Sequence, residues 1–412
     1  MKVLRKILKK RLSFCLLCVF ANICFIVNSS KADDLNNVKF IHAQNKAFDL
    51  SNDVKFIRTQ NSITNSRQNA ITRAVGMCSP AIVGINVTEI REGYSYQSSG
   101  NALLDYFLGP QRRYQQYKVA GIGSGFLISS DGYILTNHHV AGNASKVVVT
   151  LTDGEKYDAE FIGADLISDV CLLKIKGKNF PYIKFADSDN TIVGEWAIAM
   201  GNPFGLFDIN AKPTVTVGVV SNIGISFVNK DGNNYRIYKD MIQTDASISS
   251  GNSGGPLLNS NGEVIGMNTV IFTTTANSQG AGSIGIGFAV PINRIKRVVD
   301  LLMKNGKIER NLNIGMTVTE IDEKVARYYR VEKKEGVLVY QIDSKSAASE
   351  AGIDVGDIIE KVNGKRIMKS DDLLMAVGDA VVGDKLQFEI LRGNKKIEIS
   401  FNVPKPNNQR KR

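Results

Sequence analysis

Histidine is scarce in this 412-residue chain, which holds only His42, His138 and His139. Neither a metal-ligand cluster nor a phosphate-binding loop is visible, so no cofactor and no metal site is expected. Cysteine is also scarce. Three of the five (Cys15, Cys18, Cys24) crowd into the first 24 residues. Cys78 and Cys171 stand in the apolar stretches "VGMCSPAIVGI" and "SDVCLLKI", as small buried residues do, and two cysteines make no disulfide framework. Proline is low at 9 residues against 37 glycines, a balance that suits short strands joined by glycine turns.

Acidic residues are missing altogether from residues 1–32, which carry seven bases (Lys2, Arg5, Lys6, Lys9, Lys10, Arg11, Lys31). Setting that segment aside leaves 44 basic and 40 acidic residues, and four of the basic ones lie in the tail "PKPNNQRKR". The body is nearly neutral, so the formal charge of +11 does not point to nucleic acid. The apolar run Leu12 to Val27 is interrupted by Asn22. It is short against the roughly 20 residues of a spanning helix. With bases before it and Ser30 and Ala32 after it, the segment reads as a secretory signal cleaved after Ala32. The alternative is an uncleaved anchor that ties the N-terminus to the membrane. Either places the rest of the chain outside the cytoplasm. Ile23 before Cys24 argues against a lipoprotein signal.

Residues 33–70 form a polar, Asn-rich extension with an imperfect repeat, "NNVKFIHAQN" and "NDVKFIRTQN". Two copies are too few for a solenoid. His42 lies here and receives no role. Residues 71–292 read as many short strands cut by Gly, Asn and Asp, such as "AIVGINVT", "GSGFLISSDGYILTN" and "TVTVGVVSNIGI". That spacing argues for an all-β barrel or sandwich. A helical stretch and linker follow at 293–309, with Ile295, Val298, Val299, Leu301 and Leu302 as its loosely periodic apolar face. Residues 310–404 alternate strands with the helix-like "SAASEAG" and "SDDLLMAVGDA", a small α+β module, and 405–412 are a basic tail.

"GNSGGPL" sets Ser253 among Gly251, Gly254 and Gly255. A serine hydroxyl is a weak nucleophile without an adjacent base, and flanking glycines let the backbone aim N–H groups at one point. Upstream, "TNHHV" supplies imidazoles, and adjacent residues on an extended strand face opposite ways, so one of the pair can reach a given partner. "ISDVCLLKI" supplies Asp169 directly before an apolar run. Nucleophile, base and carboxylate thus occur in the chain order His, Asp, Ser, the chymotrypsin-like order.

The segments "GIGSGFLISSDGYILTNHHV", "ISDVCLLKI", "AMGNPFGL", "IQTDASISSGNSGGPLLNSNGEVIGMNT" and "GIGFAVP" together resemble the HtrA/Deg family of exported trypsin-like serine proteases. The resemblance implies a mainly β, double-barrel protease domain with His139, Asp169 and Ser253 as catalytic residues, leaving His138 in a variable slot. It also implies oxyanion donors on the backbone of Gly251 and Ser253. Ser247 stands six residues before the nucleophile, where a Lys/Arg-selective enzyme has an acid; with Ile284 and Ile286 it implies a small, uncharged pocket of broad specificity. Residues 310–404 resemble the family's PDZ domain, whose carboxylate-binding loop maps onto Asn313, Ile314, Gly315 and Met316; peptide C-termini would add to a sheet edge there. There is room for one such domain, as in the trimeric branch of the family. The implied function is ATP-independent degradation of unfolded or damaged proteins in the periplasm, regulated through the PDZ domain. The alternatives are a chaperone-like holdase and a signalling protease that cuts one partner. In either protease case the loops "NKDGNNYR" and "TTTANSQGAG" would order on activation.

Overall fold

Alternation along "IVGINVT" starts the first sheet: Ile85 and Val87 turn into the core while Asn86 and Thr88 face outward. The computed structural model describes residues 66–97, 111–202, 212–231, 234–249, 251–271, 285–331 and 335–406. The expected export signal, the repeat with His42, Ile284 and the loop 273–282 lie outside the described residues. Strands β1 (Ile82–Gln97), β2 (Gln111–Leu127), β3 (Tyr133–Thr136), β4 (Lys146–Thr150), β5 (Lys156–Asp158), β6 (Glu160–Asp165) and β7 (Val170–Lys174) pair in the order β5-β4-β1-β2-β3-β7-β6. Every described pairing in this sheet is antiparallel.

The second sheet closes on itself. Strands β8 (Trp196–Gly201), β9 (Thr214–Asp231), β10 (Asn234–Thr244), β11 (Pro256–Leu258), β12 (Val264–Ile271) and β13 (Gly287–Pro291) form a barrel in the order β10-β13-β12-β11-β8-β9. Closure removes the open edges that a sheet of this size would expose. One apolar core runs from Phe126, Leu135 and Leu172 of the first sheet to Met200, Met267 and Val290 of the second.

The helix Ile292–Asn305 lies over this core and buries Ile292, Ile295, Val298, Val299 and Leu302. Leu301, expected on that face, is only half-buried, because it falls off the stripe that residues 295, 299 and 302 define. Gly306 ends the helix at φ 68°, its N–H donating to the Leu302 carbonyl at 2.8 Å. Gly163 lets the helix end approach β6, since a Cβ there would lie 2.5 Å from the Gly306 carbonyl oxygen.

The C-terminal module has its own core around Phe388, Ile390 and Val339. Strands β14 (Met316–Glu320), β15 (Val337–Ile342), β16 (Ile358–Val362), β17 (Lys365–Arg366), β18 (Lys385–Arg392) and β19 (Lys395–Asn402) run in the order β14-β15-β16-β18-β19, with β17 paired to β16. The helical segments expected near 347 and 371 are Ala347–Glu350 and Ser370–Gly378. A further helix, Glu323–Tyr329, starts where the Asp322 carboxylate accepts from the N–H groups of Lys324 and Val325 at 2.9 and 2.8 Å.

Arg310 joins this module to the rest. Its Nε and Nη2 donate to the Asp165 carboxylate at 3.0 and 2.7 Å, and its Nη1 donates to the carbonyls of Gly378 and Asp379 at 3.0 and 2.6 Å. Those carbonyls close the Ser370–Gly378 helix, where a cation is favoured. Both charged side chains are more than nine-tenths buried. Arg310→Ala therefore strands a buried carboxylate and is expected to cost about 3–5 kcal/mol. Urea unfolding will check this, with Arg310→Met/Asp165→Asn expected to regain part of the loss.

Candidate active site

Asp169 stands in the turn before β7 with φ 59°, a left-handed conformation that Asp tolerates better than most residues. Its side chain is fully buried. A carboxylate in such a place must be surrounded by donors, and it is. Oδ1 accepts from the His139 backbone N–H at 3.0 Å. Oδ2 accepts from Thr269 Oγ1 at 2.6 Å, from His139 Nδ1 at 2.8 Å and from the Tyr238 hydroxyl at 3.3 Å. Burial works to raise its pKa, but the His139 charge and the hydrogen bonds from His139 and Thr269 outweigh it and hold the carboxyl below the usual carboxylate range. The Asp169 carbonyl in turn accepts from the His138 N–H and from Asn137 Nδ2 at 3.1 and 3.0 Å.

The two histidines open a short helix, His138–Ala141, rather than continuing a strand; β3 stops at Thr136 because the Asp169 turn takes over the next N–H groups. Their divergence therefore comes from the helical step of about 100° and not from strand alternation. His139 is exposed and bound to Asp169, whereas His138 is buried with its ring against Gly142. Burial pushes the His138 pKa down, against the Asp169 charge that pulls it up.

Ser253 follows the Gly251 turn (φ 99°) and precedes Gly254 (φ 84°). At Gly254 a Cβ would sit 2.2 Å from the Ser124 carbonyl oxygen, and at Gly255 one would sit 2.1 Å from that of Met200. Both glycines are thus required by close backbone approach. The Ser253 carbonyl accepts from the Ser124 N–H at 3.0 Å. Ser124 Oγ donates to the Gly251 carbonyl and accepts from the Asn202 N–H at 2.7 Å. The N–H groups of Gly251 and Ser253 have no acceptor among the described residues. Ser253 Oγ donates to the Thr269 carbonyl at 3.2 Å. His139, Ser253 and Gly251 line one cleft of about 270 Å³, walled by Val87, Val119 and Ile122.

The arrangement offers a hydroxyl, an imidazole steadied by a buried carboxylate, and unoccupied N–H donors, all at one opening. A trypsin-like peptidase domain model matches residues 123–267, and a PDZ domain model matches residues 282–403. The periplasmic serine endoprotease DegP of Escherichia coli (strain K12) is 41% identical over 291 residues, covering 70% of this chain and 58% of that protein. A probable periplasmic DegP-like serine endoprotease of Chlamydia trachomatis is 43% identical over 295 residues, covering 71% and 56%. The chain belongs to the HtrA/DegP family of serine endoproteases.

The chain spans little more than half the length of those two relatives. Among solved structures, the HtrA-type protease AlgW with decapeptide matches at 28% identity and a TM-score of 0.60, covering 81% of this chain and 98% of that one. The serine endoprotease from Yersinia pestis matches at 29% and 0.55, covering 81% and 97%.

Of the substrate-pocket residues that the family resemblance implies, Ser247 is exposed, its carbonyl accepting from Thr216 Oγ1 at 2.7 Å. Ile286 is half-buried against the main core. Neither lines the cleft at Ser253. In the PDZ domain, Asn313 Oδ1 accepts from the Gly315 N–H at 2.9 Å, and Ile314 is buried. Gly315 has φ 86° and lies so close to Ser346 that a Cβ would fall 2.0 Å from it. Met316 then begins β14, which ends the sheet order and packs beside the Ser370–Gly378 helix. Among the described residues, no cluster of His, Cys, Asp and Glu could hold a metal ion.

Nothing in the sequence marks Ser124, Tyr238 or Thr269, each a strand residue whose contacts only pairing across elements shows. Arg236 falls in "NKDGNNYR", expected to be a loop; its residues 229–231 and 234–236 instead extend β9 and β10, which pair with each other there. The depressed Asp169 pKa carries a stability consequence. A carboxyl lowered on folding adds stability above its unfolded value of about 3.9 and loses it as pH falls through the folded value. The fall in melting temperature between about pH 5 and about pH 3 is expected to be smaller in Asp169→Asn than in the parent protein, measured by calorimetry.

Proposed function

We propose that this chain is an exported serine endopeptidase acting by an acyl-enzyme mechanism. The observation that carries the proposal is the buried Asp169 bound to His139 Nδ1 at 2.8 Å, with Ser253 and Gly251 in the same cleft. His139 is the general base. Ser253 Oγ leaves the Thr269 carbonyl, passes its proton to the free ring nitrogen of His139, and attacks the scissile carbonyl. Asp169 holds the imidazole in one tautomer and steadies the imidazolium. The N–H groups of Gly251 and Ser253 receive the oxyanion; one such donor is typically worth about 2.7–4 kcal/mol. His139 then protonates the leaving amine, and water repeats the sequence to release the acyl group.

The assignment of Ser247, Ile284 and Ile286 to a pocket for a small, uncharged side chain rests on the family resemblance, since neither Ser247 nor Ile286 lines the cleft at Ser253. The substrates are unfolded or damaged polypeptides of the periplasm, and the assembly is a homotrimer or a multiple of trimers. The N-terminal segment is either removed or retained as an anchor. Asn313, Ile314, Gly315 and Met316 receive a peptide carboxylate, and β14 offers the edge to which the peptide adds. Regulation through this domain is supported by its physical join to the catalytic region: Arg310 binds Asp165, four residues before Asp169, while capping the helix beside the groove. A holdase reading is weaker, since a pure binder has no need of the Asp169 donor set.

Unfolded casein tests the assignment. Ser253→Ala and His139→Ala are each expected to lower kcat/KM by at least about 10⁴-fold while keeping the parent's circular dichroism, and Ser253→Ala its melting point as well. His138→Ala is expected to keep most of the rate. Equal degradation by the parent protein and Ser253→Ala would sink the proposal, as would degradation by neither.

A further inference from the structure

Resting on the catalytic reading of His139, Asp169 and Ser253, we infer that Arg236 is a positioning residue that sets the pH range of the reaction by sharing the Asp169 carboxylate with His139. Arg236 Nε lies 3.6 Å from Asp169 Oδ1, the oxygen that also accepts the His139 backbone N–H. The Arg236 side chain is four-fifths buried, and its Nε meets no hydrogen-bond acceptor among the described residues. At that distance the guanidinium acts on the carboxylate through its charge, in a region from which water is excluded.

The surrounding groups make this charge consequential. Asp169 faces His139 from the helical turn, Thr269 from β12, and Tyr238 and Arg236 from β10, with Cys171 two residues along β7. His138 and Asp165 complete the ionisable set nearby, and Asp165 is already bound to Arg310 and to Ser168 Oγ. Cys171 is pushed up to about 12 by burial and then by the Asp169 charge, so it stays a neutral thiol. Burial raises the Tyr238 hydroxyl as well, keeping it a donor. Among the described residues, Arg236 is therefore the one Arg or Lys within ion-pair distance of Asp169. A carboxylate left to His139 alone would grip the imidazolium that forms in the reaction harder. Arg236 offsets part of the carboxylate charge while Thr269, Tyr238 and the two His139 contacts keep its geometry. Position and charge are thus supplied by different residues.

The test is the pH dependence of kcat/KM for fluorescent casein, from about pH 5 to about pH 9, in the full chain. The rate at which an organophosphonate labels Ser253 is followed over the same range. Arg236→Gln, with Arg236→Met as a second neutral variant should Gln fail to fold, is expected to move the acid limb upward by about one pH unit in both assays. Arg236→Lys is expected to leave the limb where it is in the parent protein, since the charge is retained. A limb that stays put in the folded neutral variant overturns the inference, as does one that moves equally in the Lys variant. A parent protein that neither cleaves casein nor takes the label defeats the protease assignment itself, and the inference with it. An active parent whose limb does not respond defeats the inference alone.

Discussion

A single carboxylate, sealed from water, fixes how the two halves of the protease domain meet. Asp169 is 0% exposed, and an ionised group in that position is tolerable only when every lone pair is engaged. Its donors come from both sheets. His139 follows β3 of the first, while Thr269 and Tyr238 belong to the closed barrel. A displacement of one sheet against the other would strand a buried charge. The penalty for that exceeds anything a shifted apolar contact would cost, so the charge dictates registry more sharply than the core around it. The apolar core between the sheets supplies adhesion without direction.

Ser253, the proposed nucleophile, inherits its position from the same seam. The Ser253 turn belongs to the barrel, yet its carbonyl is held by the Ser124 N–H of β2, and the Ser124 hydroxyl ties the Gly251 carbonyl to the Asn202 N–H. Gly254 and Gly255 permit this because the carbonyls of Ser124 and Met200 occupy the space of their missing side chains. Thr269 is common to both constructions: its hydroxyl binds Asp169 and its carbonyl receives Ser253 Oγ. One strand residue therefore refers Asp169 and Ser253 to a single backbone point. Preorganisation of this kind is what an oxyanion-stabilising site requires, since donors must stand in place before charge develops.

Much of this was legible in the sequence, and the reason differs by residue. The glycines around Ser253 announce themselves because no other residue fits where backbone meets backbone. The mainly β character followed from "AIVGINVT" and similar runs, whose burial alternates as the pattern requires. Asp169 stood out because a charge abuts an apolar run. Thr269, Tyr238, Ser124 and Arg236 were silent: a Thr or Tyr in a strand is an ordinary β residue, and its partner lies 69 to 100 positions away for Tyr238 and Thr269. Periodicity reports which face of a strand is buried and says nothing of what the face meets. The helical turn at His138 was illegible for a related reason. It arises because the Asp169 carbonyl and carboxylate capture the N–H groups of both histidines, a long-range capture that overrides local strand preference.

Strand β10 also links the PDZ domain to the acid. Ile237 stands between Arg236 and Tyr238, its N–H donating to the Ile167 carbonyl at 2.8 Å. A Cβ on Gly378, at the end of the groove helix, would fall 2.1 Å from the Ile237 side chain, so the helix rests directly on the strand that carries two neighbours of Asp169. Ion pairs also cross this junction: Lys230 with Asp371 and Arg297 with Asp384 are exposed and screened by water, whereas Lys239 and Arg294 share the largely buried Asp379. Exposed pairs contribute little to adhesion. The buried Arg310–Asp165 pair contributes chiefly by being intolerant of misplacement. The junction thus has a sharply defined seat, set by the buried Arg310–Asp165 and Arg294–Asp379 pairs. Its seated geometry bears on Asp165 through Arg310 and on β10 through Gly378. A shift of the Ser370–Gly378 helix would therefore reach both flanks of Asp169, through Asp165 on one side and β10 on the other.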